Sequence, residues 1–133
     1  MKKIIVLTMM LVFLWTGVSF AENWIMYYEG SSMMNSFFDA DRVIKKGNGF
    51  DYWTRVEYSP DAQRLLGDKY RVEHMQVELR EGEWWIRRLE AWSINSQGTL
   101  YDYTSGHVNW KRMETAKEPE GIALLNGLQK YAR

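Results

Sequence analysis

Glu83-Trp84-Trp85-Ile86-Arg87-Arg88-Leu89-Glu90-Ala91-Trp92-Ser93-Ile94 lies between Glu81-Gly82 and Ser96-Gln97-Gly98, and its conformation decides the fold. A helix is the rival reading, but adjacent indoles at 84 and 85 and a glycine at each boundary favour an extended strand. Before it, Arg71 to Leu79 alternates, with Met75, Val77 and Leu79 on one side and His74, Gln76 and Glu78 on the other. After it, Thr99 to Thr104 returns. Two close turns thus join three antiparallel strands into a meander. Extended geometry places Trp84, Ile86, Arg88, Glu90 and Trp92 on one face and Trp85, Arg87, Leu89 and Ala91 on the other.

Further strands are expected upstream. Trp24 to Tyr28 is a short aromatic run stopped by Gly30-Ser31-Ser32, and Phe37-Phe38 is a second, ended by Asp39-Ala40-Asp41. The turn Lys45-Lys46-Gly47-Asn48-Gly49 leads into Phe50 to Tyr58. There Phe50, Tyr52, Thr54, Val56 and Tyr58 point one way, and Asp51, Trp53, Arg55 and Glu57 the other. Ser59-Pro60-Asp61 ends that strand, because proline has no N–H for the ladder.

The period changes at the end. Glu118-Pro119-Glu120 reads as a helix start, with proline in the first turn and acids near the positive end of the dipole. Ile122, Leu125, Leu128 and Ala132 follow one stripe, widened by Leu124 and Tyr131. Gly121 and Gly127 weaken the helix by about 1 kcal/mol each. So short a helix needs a sheet to cover. The pattern predicts an α+β domain: an antiparallel meander sheet with one C-terminal helix packed on a face.

The first 21 residues read as a segment apart from the fold. Lys2-Lys3 precede an uncharged apolar run from Ile4 to Trp15, and Ser19 and Ala21 are small at the positions a signal peptidase reads before Glu22. That run is shorter than the ~20 residues that span a bilayer, so cleavage is expected rather than an anchor. The domain is then 22–133, exported to the periplasm or cell surface, with no membrane span after cleavage.

Composition narrows the function. Of 133 residues, 46% are hydrophobic, which excludes a disordered chain. No cysteine is present, so disulfide scaffolds, cysteine–zinc sites and a lipid anchor at the cleavage site are excluded. Lys plus Arg equals Asp plus Glu at 17 each, giving no net field that would draw nucleic acid. No G-x-S-x-G elbow or phosphate-cradling glycine pattern is present, and no residue pattern calls for a cofactor or metal. His74 and His107 lack a nearby His or Cys and read as surface or edge residues. Asp39 and Asp41 read as turn or cap residues, without the loop-spaced oxygens that calcium needs.

The aromatic content, 15%, is the outlier. Trp53, Trp84, Trp85, Trp92, Tyr101, Tyr103 and Trp110 either fill a small core or form a face where Trp and Arg meet a partner. Trp84, Arg88, Trp92 and Arg87 are the expected partner-binding residues. Arg55, Arg71, Arg80, Lys111 and Arg112 add positive charge, but acids interleave them. Trp53, alone among Asp51, Arg55 and Glu57, is expected to lodge against cross-strand neighbours with its flanking charges in water.

The order of these signals resembles the surface-adhesin protein E family of exported bacterial domains. The resemblance runs from Trp24 to about Tyr131. It is carried by Trp24, Phe38-Asp39-Ala40-Asp41-Arg42-Val43-Ile44, Tyr52-Trp53-Thr54-Arg55-Val56-Glu57-Tyr58, the Glu78-to-Leu89 strands, the Gly98 hairpin, Trp110 and the closing helix. It implies an antiparallel sheet of about six strands on a C-terminal helix, and an adhesin-like role. Many relatives link a sheet strand to the C-terminal end with a Cys pair, and Leu79 and the region near Ala132 match those places here. Three functions follow as expectations. The first is a non-enzymatic module that binds a protein. The second is a periplasmic binder of small ligands or glycans that uses exposed aromatics. The third is an enzyme, which needs a buried titratable pair.

Overall fold

The structure, a computed structural model, describes residues 22–30, 34–104 and 109–133. The leader segment 1–21, Ser31, Ser32 and His107 lie outside the described residues. Eight strands are described: β1 (Trp24–Glu29), β2 (Met34–Asp39), β3 (Ile44–Lys46), β4 (Gly49–Tyr58), β5 (Asp68–Arg80), β6 (Glu83–Asn95), β7 (Leu100–Thr104) and β8 (Lys111–Arg112). Helix α1 (Pro60–Leu66) joins β4 to β5, and α2 (Pro119–Tyr131) closes the chain. The strands form one sheet in the order β1-β2-β4-β5-β6-β7, with β3 beside β4 and β8 beside β6. Every pairing is antiparallel. The fold is α+β, as the sequence predicts.

The β5–β6 hairpin turns on Glu81 and Gly82, both at positive φ (51° and 81°), so its twist matches that of the strands. Helix α1 was not expected, because Pro60 reads as a strand end. Yet Ser59 Oγ accepts from Ala62 N at 3.2 Å, Pro60 occupies the first turn, and Gly67 at φ 80° caps the end. These are ordinary start and stop signals at seven-residue spacing.

Helix α2 lies over one side of the sheet. Leu124, Leu125 and Leu128 join Phe38, Val43, Phe50, Tyr52, Val77 and Met113 in a buried cluster. The buried stripe runs through Gly121, Leu124, Leu125 and Leu128, so Ile122, expected within it, stands 46% exposed. Ile122 is one helical step, about 100°, off that line. Glycine sets the approach: a Cβ at 127 would lie 2.6 Å from the Phe38 ring. The chain end is tied beside β3, where Arg133 N donates to Val43 O at 3.1 Å and Lys45 N to Arg133 O at 3.2 Å.

One irregularity redistributes the side chains of β6. Glu90 faces His74 and Arg88 faces Met75, so Leu89 is an extra residue with no opposite number. This β-bulge reverses the alternation. Trp84, Ile86 and Arg88 lie on the helix side, whereas Glu90 and Trp92 join Trp85 and Arg87 on the other. Ala91 crosses the opposite way and is buried. Strict alternation through Glu83–Ile94 is therefore corrected.

Candidate functional site

On the side of the sheet away from α2, the described residues hold one another. Register aligns Trp53 on β4, His74 on β5 and Glu90 on β6 in one row. Neighbouring strands lie about 4.8 Å apart, a spacing at which flat rings stack. Trp53 and His74 do so at 4.5 Å, with planes within 3°. Trp92 stacks on Trp53 at 5.3 Å, and Tyr103, directly opposite Trp92 on β7, follows at 5.2 Å. The Arg42 guanidinium lies 4.8 Å from the Trp53 ring centre, held by a 2.7 Å bond from Nε to the buried Asp39. Asp39 also accepts from the backbone N–H groups of Asn23 and Asp41, the cap role expected of it.

Polar bonds run beneath the rings. Asp51, expected in water, is buried, and its carboxylate contacts His74 Nε2 at 2.6 Å and accepts from Gln76 Nε2 at 2.9 Å. Lys46 Nζ lies at 3.6 Å. Burial pushes the Asp51 carboxyl up, but the hydrogen bonds from His74 and Gln76 and the charges of His74 and Lys46 outweigh it. The group is held below the usual carboxylate range. Gln76 Oε1 accepts from Arg87 Nε at 2.8 Å. His74 Nδ1 is 3.7 Å from Glu90, whose other oxygen accepts from the Tyr103 hydroxyl at 3.0 Å. His74 is thus the junction of the face on a central strand, not an edge residue. Both its ring nitrogens face carboxylates.

A second aromatic group lies toward the β5–β6 turn. The Trp110 ring is approached by two guanidiniums, Arg80 at 4.8 Å and Arg87 at 4.6 Å, and Arg80 also lies 5.5 Å from Trp85. Arg55 covers Tyr70 at 4.0 Å. Guanidiniums over indoles are worth about 0.5–1 kcal/mol each at exposed sites and order long side chains.

The four residues expected from sequence do not form one surface. Arg87 and Trp92 belong to this open face. Trp84 stacks on Phe50 at 6.2 Å on the helix side, between two clefts of about 460 and 680 Å³. Arg88, also on the helix side, lies 3.5 Å from Glu73. Asp51, His74, Gln76 and Arg42 were not expected to take part. Alternation signalled the first three, because each falls on the same face as Trp53, while Arg42 arrives from a 3-10 turn at Ala40–Arg42 that carries no such period.

No protein-family model, curated protein or solved structure matches this chain. Among the described residues, no group of three or more His, Cys, Asp or Glu side chains is placed to hold a metal ion. No described helix is long and apolar enough to cross a membrane.

Proposed function

We propose that this chain is a non-enzymatic, surface-adhesin E-like binding module of the bacterial envelope, and that it engages a protein partner through the open face of its sheet. The observation that carries this reading is the ordered set of Trp53, Trp92, Tyr103, Trp85 and Trp110 interleaved with Arg42, Arg55, Arg80 and Arg87. Trp, Tyr and Arg dominate the binding energy of protein interfaces, and rigid side chains lose little entropy on docking. Glycan binding is less favoured, since a sugar needs an open indole face. Trp53 and Trp92 are stacked within the protein, and Trp110 is occupied by guanidiniums. The family reading is supported by the six-strand path, the closing helix, and the presence of Leu79 and Ala132 in one cleft. Export would follow from the leader segment, and mass spectrometry of exported protein should show a chain beginning at Glu22.

The test is binding to an envelope partner recovered with the purified protein, identified and then titrated. Trp92→Ala, which removes the middle of the ring stack, should weaken that binding at least about tenfold while the fold survives. A folded Trp92→Ala variant with unchanged affinity would refute the open face as the docking surface.

A further inference from the structure

We infer that the β8 edge of the open face receives an acidic protein segment, with carboxylates against Arg87, Lys111 and Lys117 and one large apolar side chain in the cleft beside Trp84. This rests on the open face being the docking surface and names the chemistry of its partner.

Charge is the first argument. Arg80 and Arg87 both lie within 5 Å of the Trp110 ring centre. Arg80 is balanced by Glu78 at 2.9 Å, whereas Arg87 Nε donates to the neutral Gln76. Among the described residues no carboxylate lies within ion-pairing distance of Arg87, and the same holds for Lys111 and Lys117. The terminal nitrogens of Arg87 present a planar fork suited to a carboxylate.

Topology is the second. Strand β8 pairs with β6 at Trp85 and Ile86 and follows directly after Trp110. Along three residues the chain passes from the open face to the helix side, where Met113 N donates to Trp84 O at 2.8 Å. Arg112 and Lys117 rim the cleft of about 460 Å³ whose apolar lining is Trp84, Met113 and Ala116. Glu83 and Glu114 also line it, and Glu83 is paired with Arg112 at 3.6 Å. Among the described residues, Lys117, which has no ion pair, therefore rims this cleft, and Arg87 and Lys111, equally without one, lie on the adjoining strands β6 and β8. A polypeptide can carry carboxylates and a large apolar side chain together. A uronate polymer supplies the charge but nothing to fill the recess.

The probe is a synthetic peptide of glutamates around one phenylalanine, titrated into the purified protein at low and high salt. A lysine version of the peptide and polygalacturonate serve as comparators. Binding of the glutamate peptide should weaken with salt and fall about tenfold in Arg87→Ala and in Lys111→Glu with Lys117→Glu, and the lysine peptide should not bind. Lys111 and Lys117 are exposed, so that pair carries the test should Arg87→Ala disturb the Gln76 bond. No affinity for the glutamate peptide, or affinity that the variants leave within twofold, overturns the inference. So does polygalacturonate binding through the same residues without peptide binding. Failure here while Trp92→Ala still abolishes envelope-partner binding rejects the acidic chemistry and leaves the open face as the docking surface.

Discussion

The two sides of this sheet are built from the same strands but held by different physics. On the helix side, Leu124, Leu125 and Leu128 insert between Phe38, Tyr52 and Val77, and cohesion comes from area removed from water. On the open side, among the described residues, rings stack on rings, guanidiniums lie on rings, and a buried carboxylate ties the strands beneath. The buried cluster under α2 is built from apolar side chains. The open side carries many charged and polar groups, several of them bonded to one another. A face ordered in this way stays half exposed without collapsing, which is what a docking surface requires.

The contrast breaks first at α2. Leu125→Asp puts a carboxylate into the apolar cluster with no cation facing it, and an unpaired buried charge costs about 3–5 kcal/mol. The variant should lose most of its folded population, seen as an early urea transition by circular dichroism. A thermal midpoint within a degree or two of the native protein would mean that the leucine stripe is not covered.

Trp53→Ala tests the other side. The ring is only half buried, so its loss should fall below the 3–5 kcal/mol of a core aromatic, at about 2 kcal/mol. It also removes the platform on which His74, Trp92 and Arg42 rest. Urea denaturation gives the stability, and near-ultraviolet dichroism should lose the coupled-indole signal. A change under about 0.5 kcal/mol, as at ordinary surface sites, would show that the stack contributes nothing to folding.

Gly127→Ala sets two effects against each other. Alanine gains about 1 kcal/mol in helix propensity, but its methyl would sit 2.6 Å from the Phe38 ring. Overpacking of that kind costs about 1–3 kcal/mol, so a net loss of about 1 kcal/mol and a thermal midpoint lower by several degrees are expected. A stabilised variant would mean that α2 can lift from β2 freely.

Much of this contrast was legible in the sequence. Turn residues at Glu81-Gly82 and Ser96-Gln97-Gly98 announce the meander, and alternation in Phe50–Tyr58 separates Tyr52 from Trp53 correctly. The bulge at Leu89 was not legible, because period-two reasoning propagates one parity along the strand. A single unpaired residue then moves Glu90 and Trp92 to the other side. Only the small Ala91 and Ser93, both buried, hint that the second half of β6 lies under its neighbours. Sequence also reads Asp51 as a solvated charge, since its partners His74 and Gln76 lie more than twenty residues away. Glycines 121 and 127 look like flaws in a helix until Phe38 and the Thr115 backbone are seen against them.

Two carboxylates carry the sharpest form of the comparison, because their acidities shift in opposite directions. Asp51, on the open side, is held below its ordinary value. Its stabilising effect is complete above an unfolded pKa of about 3.9 and disappears as pH falls through the folded value. Glu120, at the start of α2, is pushed up, first by burial and then by the charge of Glu118. Between its unfolded and folded values the native state binds the extra proton, so stability declines as pH rises through the folded value. Urea midpoints measured from about pH 3 to about pH 7, spanning both ordinary carboxylate values, should therefore separate the two. Asp51→Asn should be least stable relative to the native protein near neutrality and approach it in acid. Glu120→Gln should be more stable than the native protein near neutrality, with the difference vanishing in acid, an effect kept small by solvent screening at this partly exposed site. The acidic limb of the native protein then belongs to the open face, and flattening it by Asp51→Asn alone is the expected result. If Asp51→Asn keeps the native acid slope, the bonds from His74 and Gln76 do not hold the strands of that face together, and its order must come from the rings.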